Sequence, residues 1–211
     1  MGYMGNVIYL EDRLAARASA PSGPRPAFFF DLACPMSYLA AERIERVLGA
    51  VEWIPAMLGT GAPDRPLART AGHRAHAETL AIAMRIPLVW PEGFPAQLPR
   101  AMRAACHAAE IGAAAGFALA AGRLAFCGGF DLEDPEILAE AAAAAGIQPE
   151  CSLAAAADPT YDADLHSAAR RLRAAGVSEL PAISIGRHWL GGETATAEAL
   201  ALRRNVRLGR G

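Results

Sequence analysis

Residues 27–32, AFFFDL, make an apolar run with one acid near its end, and Cys34-Pro35 follows at once. The run emerges abruptly from PSGPRP, whose prolines and glycine break regular structure. This is the pattern of a buried strand. Pro35 suits the first turn of a helix. From Ser37 to Leu48 the apolar residues Leu39, Ile44, Val47 and Leu48 fall near helical spacing, and Gly49 ends the run. Val51 to Met57, VEWIPAM, alternates and predicts a second strand, with Pro55 at its end or at a sheet edge. The first unit of the fold is therefore strand, helix, strand.

Composition bounds what this unit can belong to. Of 211 residues 53% are hydrophobic, so a sizeable core can form and wholesale disorder is excluded. The longest nearly uncharged apolar stretch, Ile111 to Ala121, falls well short of the ~20 residues that span a bilayer. With 20 basic against 22 acidic residues, no basic surplus remains to neutralise a phosphate backbone, which argues against nucleic acid. Every fixed cation is an arginine. Glu11, Asp12 and Arg13 interrupt the opening segment before a secretory apolar stretch forms, so the expected compartment is the cytoplasm. The four cysteines (Cys34, Cys106, Cys127 and Cys151) contain no CxxC pair and no disulfide framework. Cys106, Cys127 and Cys151 read as small buried hydrophobes.

Three segments follow. Residues 1–26 form an N-terminal extension, and 66–157 an alanine-rich helical block. Within that block helices are expected over Arg74–Met84, Leu98–Gly122 and Pro135–Gly146, the last capped by Asp134-Pro135. A helix over Thr160–Ala175 comes next. Leu180-Pro181 then leads into strands at Ala182–Ile185 and His188–Leu190, and a last helix spans Thr194–Arg204. The order β-α-β, helical block, α-β-β-α is a thioredoxin-like α/β layout. Residues 27–65 and 158–211 would form the sheet domain, with an all-helical insertion between its halves.

The chemistry concentrates at Cys34-Pro35-Met36-Ser37. A thiol where a helix begins meets unpaired backbone N–H groups and the positive end of the dipole, which favours a thiolate. The alternative is a packed, inert cysteine at a strand–helix turn. Asp31, beside that thiol, could tune it, relay protons, or serve the backbone as a cap. Trp90 and Phe94 could stack on an aromatic ring or simply pack. His73 and His76, three apart on a helix, have no carboxylate or cysteine at metal-ligand spacing and read as a solvated face; His107, His166 and His188 are isolated. Glu136 and Glu140 read as a solvent-facing pair. No metal site is expected. No nucleotide-binding glycine motif occurs.

Four segments in this order, FFFDLACPMSYLAAERIERVL, VEWIPAMLG, GGFDLEDPEILAEAAAAAGI and GVSELPAISIGRHWLGGE, resemble the DsbA-like thioredoxin superfamily. Within it they resemble the branch of 2-hydroxychromene-2-carboxylate isomerase and kappa-class glutathione transferase. The resemblance implies glutathione as cofactor. Cys34 falls where this branch carries a serine that hydrogen-bonds the glutathione sulfur, and where dithiol oxidoreductases carry their attacking cysteine. Ser37 falls at the resolving cysteine of those oxidoreductases. Pro181 matches the family's cis-proline, and Leu180 the residue whose backbone pairs with the cysteinyl part of glutathione. Gly192 and Glu193 fall near the γ-glutamyl group. Gln97 follows Phe94-Pro95 where the family has asparagine. The insertion's usual lysine is absent, leaving Arg69 or Arg74, whose planar fork differs from an ammonium.

Two activities follow from the resemblance. The first is a glutathione-dependent isomerase or transferase acting on an aromatic or electrophilic small molecule. The second is a monothiol thiol–disulfide oxidoreductase that uses Cys34 directly, with an external thiol as resolvent. A third possibility is a non-catalytic thioredoxin-fold binding module. The resemblance also implies a homodimer.

Overall fold

All four residues of β1 (Ala27–Phe30) are buried, because the strand sits inside the sheet and both of its faces are covered. In this computed structural model the described residues are 25–58 and 67–208, without the side chains of 67–72 and 205–208. After β1 come α1 (Pro35–Leu48), β2 (Glu52–Pro55) and α2 (Leu67–Met84). They are followed by α3 (Pro99–Glu110), α4 (Ala114–Phe126), α5 (Pro135–Ala144) and α6 (Pro149–Ala157). A single 3-10 turn at Pro159–Tyr161 leads to α7 (Asp162–Ala174), β3 (Ala182–Ile185), β4 (His188–Gly191) and α8 (Ala195–Leu208). The expected extension at 1–26 lies outside the described residues apart from its last two.

The sheet order is β2-β1-β3-β4. β1 runs parallel to β2 and antiparallel to β3, and β3 pairs antiparallel with β4. This is the thioredoxin-like α/β sheet, with the block of helices α2–α6 between its two halves. Side-chain alternation in β1 divides the core. Phe28 and Phe30 face one cluster with Leu39 and Ile44 of α1, Ala195 and Ala199 of α8, and the insertion helices. Phe29 faces the other, with Ala168 and Leu172 of α7. The Phe29 ring also meets Trp189 at 5.6 Å and the Arg171 guanidinium at 5.2 Å.

Three sequence expectations are corrected. The helix expected over Leu98–Gly122 is two, α3 and α4. Gly112 takes φ 75°, a conformation that costs other residues, and closes α3. Its N–H bonds to Ala109 O at 3.1 Å, and that of Ala113 to Ala108 O at 2.7 Å, which terminates the helix in a Schellman turn. An additional helix, α6, follows Gly146; it buries Ser152, Ala155 and Ala156. That inward set turns Cys151 outward, so this cysteine is exposed and not buried as expected. Cys127 is also only partly buried, whereas Cys106 is buried. The Asp134 cap forms as expected, its Oδ1 accepting the Glu136 N–H at 2.8 Å. No described helix is long and apolar enough to cross a membrane.

The insertion is tied to α7 by one forked pair. Arg103 donates from Nε and Nη2 to the two Asp162 oxygens at 2.7 and 2.8 Å. That guanidinium holds the Asp162 carboxyl below its ordinary value. Its stabilisation is therefore complete above the unfolded carboxyl pKa and fades as pH falls through the lower folded value. Asp162→Asn should cost about 1 kcal/mol near neutrality, after allowance for solvent screening, and the deficit should shrink in acid. Urea titrations of both proteins across that pH range check this. Phe29→Ala should cost about 3–5 kcal/mol by the same measurement, because its cavity lies between the sheet and α7.

Candidate active site

Cys34 is the N-cap of α1, with extended backbone (φ −100°, ψ 112°) and Pro35 as the first helical residue. Its sulfur accepts the Ser37 N–H at 3.4 Å, as a capping side chain does. Its thiol donates to the Leu180 carbonyl at 3.5 Å. The loop beneath is tightly held. Asp31 Oδ1 accepts the Ala33 N–H at 2.9 Å, and the Asp31 N–H reaches Ser37 Oγ at 3.3 Å. Asp31 thus serves the backbone of the turn. Ser37 is only 2% exposed and sits inside the turn.

The expected shift toward a thiolate is reversed. Burial pushes the Cys34 thiol above its ordinary value, and the Asp31 carboxylate adds to this. The Ser37 hydroxyl and the N–H groups of Ser37 and Met36 pull the other way without prevailing. Desolvation of a charged sulfur outweighs the donors at the helix start. The resting group is therefore a protonated thiol, which is also what donation to Leu180 O requires.

The Leu180–Pro181 bond is cis. It brings the Leu180 carbonyl to Cys34 just before β3 begins. The β3–β4 register pairs Ala182 with Gly191, and the Gly192 N–H donates to Pro181 O at 2.9 Å. Cys34, Leu180, Pro181, Gly192 and Glu193 are thereby gathered at one end of the sheet. The Leu180 N–H has no acceptor among the described residues, so one backbone donor just before β3 is left at this edge.

Gln97 is not joined to this group by a contact. It lies exposed before α3, after a second cis bond at Phe94–Pro95, and its side chain has no hydrogen-bond partner among the described residues. Arg69 carries a side chain outside the described residues. Arg74 stacks its guanidinium 4.6 Å from the Trp90 ring and 5.8 Å from that of Phe94. Trp90 and Phe94 pack against each other at 4.7 Å and against Phe126 at 6.3 Å.

Two features escaped the sequence. His73 and His76 do not simply face solvent. Their Nε2 atoms stand 3.5 and 3.4 Å from the two carboxylate oxygens of Glu193. The i, i+3 spacing places both on one helix face, but their partner lies more than a hundred residues away, beyond the reach of local pattern. The second is Cys127, whose sulfur meets Tyr38 Oη at 3.0 Å and Pro87 O at 3.3 Å. Among the described residues no cluster of histidine, cysteine and acid has metal-binding geometry.

Comparison with known proteins places this geometry. A solved 2-hydroxychromene-2-carboxylate isomerase matches with a TM-score of 0.72 at 18% identity, over 88% of this chain and 97% of that one. A probable DsbA oxidoreductase from Streptomyces coelicolor matches with a TM-score of 0.68 at 21% identity, over 85% and 88% of the two chains. The cytosolic disulfide reductase DsbM from Pseudomonas aeruginosa, solved with GSH, matches with a TM-score of 0.61 at 19% identity, over 86% and 98%. Such identities establish the fold. No curated protein sequence matches the chain. The DSBA-like thioredoxin domain, however, matches continuously from residue 27 to residue 201, through the Cys34 turn, the insertion and the cis-proline hairpin, and to that family this chain belongs.

Proposed function

We propose that this chain is a glutathione-dependent isomerase or transferase, acting on an aromatic or electrophilic small molecule. The observation that carries the proposal is the Cys34 thiol, protonated at the start of α1 and 3.5 Å from the carbonyl preceding cis-Pro181. A protonated thiol is a hydrogen-bond donor and a poor nucleophile. It suits the task of a hydroxyl that polarises another sulfur better than the task of attacking a disulfide.

The residues fit the tripeptide. Leu180 offers an N–H without an acceptor among the described residues and a carbonyl beside the strand end, the pair that strand-like capture of a peptide backbone uses. Gly192 and Glu193 lie at the same edge, where the Glu193 carboxylate can receive an ammonium once it leaves His73 and His76. Glutathione, where held by these residues, would supply the sulfur nucleophile for the electrophile. Cys34 donates toward that sulfur, Pro181 and Leu180 fix the register, and buried Ser37 holds Cys34 in place through its N–H and hydroxyl. The isomerase neighbour is named for a chromene carboxylate and the reductase neighbour was solved with GSH. The first name favours this reaction type and the second this ligand, while the reductase's own activity favours thiol–disulfide chemistry.

One observation favours a monothiol oxidoreductase as the second reading: the residue is a cysteine, in partial contact with solvent. Cys34→Ser separates the two. Under the proposal the variant binds glutathione in a calorimetric titration and keeps glutathione-dependent turnover within about tenfold. Cys34→Ala then loses about a hundredfold, the usual effect of removing one oriented donor. A dead Cys34→Ser variant, together with a glutathione adduct on wild-type Cys34 by mass spectrometry, would establish the oxidoreductase instead.

The protonation state has its own test. Iodoacetamide labelling followed by peptide mass spectrometry should show Cys34 reacting more slowly than exposed Cys151 at neutral pH. Its rate should still be climbing as pH passes the ordinary thiol value of 9.0. A plateau already reached below neutrality would mean a resident thiolate.

A further inference from the structure

His73 and His76 stand on one face of α2, in the insertion, and Glu193 stands past the end of β4, in the other half of the chain. The two Nε2 atoms lie 3.5 and 3.4 Å from the two oxygens of that carboxylate, one ring to each oxygen. Both distances exceed the roughly 2.7–2.9 Å of a charge-assisted bond. The carboxylate thus stands between two rings without being fully bonded to either. None of the three side chains is sealed off: His73 is 29%, His76 47% and Glu193 30% exposed. A contact so placed opens and closes without a large desolvation cost.

The surrounding charges leave the two imidazoles as the variable. Arg74, between them in sequence, stacks on Trp90 at 4.6 Å, and Glu78 accepts from Trp90 Nε1 at 2.8 Å. Arg69, one turn before His73, carries a side chain outside the described residues. Before β3, the Glu179 carboxylate packs against Gly192, where an added Cβ would lie 3.0 Å from its Oε2. On α8, Glu198 accepts from the Thr194 hydroxyl at 2.7 Å. On α1, Glu42 pairs with Arg123, Glu45 accepts from Trp53, Arg46 donates to Glu42 O, and Arg43 adds a further guanidinium. Guanidinium and carboxylate groups hold their charge across the neutral range, and imidazole is the side chain that changes its charge there. The Gly192 N–H donates to Pro181 O at 2.9 Å, so Glu193 follows directly on the residue that ties the hairpin to cis-Pro181. A carboxylate held by α2 is withheld from a ligand at that edge.

We propose that His73 and His76 are a pH-dependent clasp on Glu193. Protonated, they hold the carboxylate as a double ion pair and tie α2 to the hairpin half. Neutral, they release it, and the Glu193 edge is open to a ligand's ammonium. Protonated rings and ligand then compete for one carboxylate. Acid therefore weakens the ligand, by reducing the fraction of the protein ready to bind it. The proposal rests on the glutathione-dependent reading only for the identity of that ligand.

Two measurements on the full chain test it, each made at about pH 5.5 and about pH 7.5, on either side of the range where imidazole ordinarily changes charge. Hydrogen exchange of the α2 amides, corrected for the intrinsic rate, reads the clasp without any ligand. Protection in wild type should be about threefold to fivefold higher at the lower pH, the scale of two partly exposed ion pairs. Glu193→Gln, which keeps an acceptor and loses the charge, should remove the difference, and so should His73→Gln combined with His76→Gln. Calorimetric titration of glutathione reads the consequence. Its Kd should be about threefold to fivefold weaker at the lower pH in wild type, and equal at both in the double histidine variant. Equal α2 protection at the two pH values in wild type overturns the proposal, as does a difference that survives in Glu193→Gln. Glutathione that binds more tightly in acid also overturns it, because the rings then recruit a carboxylate and do not sequester one. Absence of glutathione binding at both pH values, with the protection difference present in wild type and lost in Glu193→Gln, rejects the proposed function and leaves the clasp standing. Glutathione binding with neither readout dependent on pH rejects the clasp alone.

Discussion

The site depends on one sulfur atom shared between two parts of the chain that are about 150 residues apart in sequence. Cys34 caps α1, and the same sulfur reaches the carbonyl before Pro181. Neither contact is strong alone, since thiols are weak donors and acceptors. What fixes the atom is the number of constraints on it. Pro35 presets the first helical residue, Asp31 ties down the turn, and the cis bond aims the Leu180 carbonyl inward. The same enclosure decides the chemistry. With the sulfur largely shielded from water, the donors at the helix start no longer suffice to hold a charge on it.

The sheet and α1 carry this arrangement, and the insertion gives it walls. α2 brings His73, Arg74 and His76 to the edge where Glu193 stands. The segment between α2 and α3 carries Trp90 and Phe94, and the end of α4 contributes Phe126 and, past Gly128, Phe130. Little energy need be spent on ordering these rings, because they rest on one another and on the buried face of α4. The bidentate Arg103–Asp162 pair, away from the site, links the insertion to the helix behind the sheet.

The elements are legible because their signals are local, whereas the strand order of the sheet comes from the family resemblance. AFFFDL reads as buried strand from composition alone, and the β3–β4 turn from Gly186 and its flanking alternation. Where signals were ambiguous, alanine was the cause. It satisfies a helix at every position and marks neither face nor end, so Leu98–Gly122 reads as one helix although Gly112 closes α3. At the site, the position of Cys34 could be read but its protonation could not. The sequence displays the helix start that favours a thiolate and hides the burial that opposes it. The pairing of Glu193 with His73 and His76 was equally invisible, since only the packing of α2 against the hairpin half brings them together. Gln97 is exposed and without a partner among the described residues, so the structure adds no contact to the motif match that named it.

The two ends of the site differ in electrostatic character. Toward Glu193 lie an acid, two imidazoles and the Leu180 N–H, a mixed polar edge. Toward Phe130 lie three rings and the Asp131 carboxylate. Cys34 stands between, bonded to Leu180 on the first side and joined through Ala33 to the second. A charged group placed against the rings would lose its solvation, a cost that grows steeply where water is excluded. An apolar group placed at the polar edge would bury the Glu193 carboxylate and the two imidazoles against carbon. The two ends therefore favour opposite chemistries, and Cys34 is the residue that adjoins both.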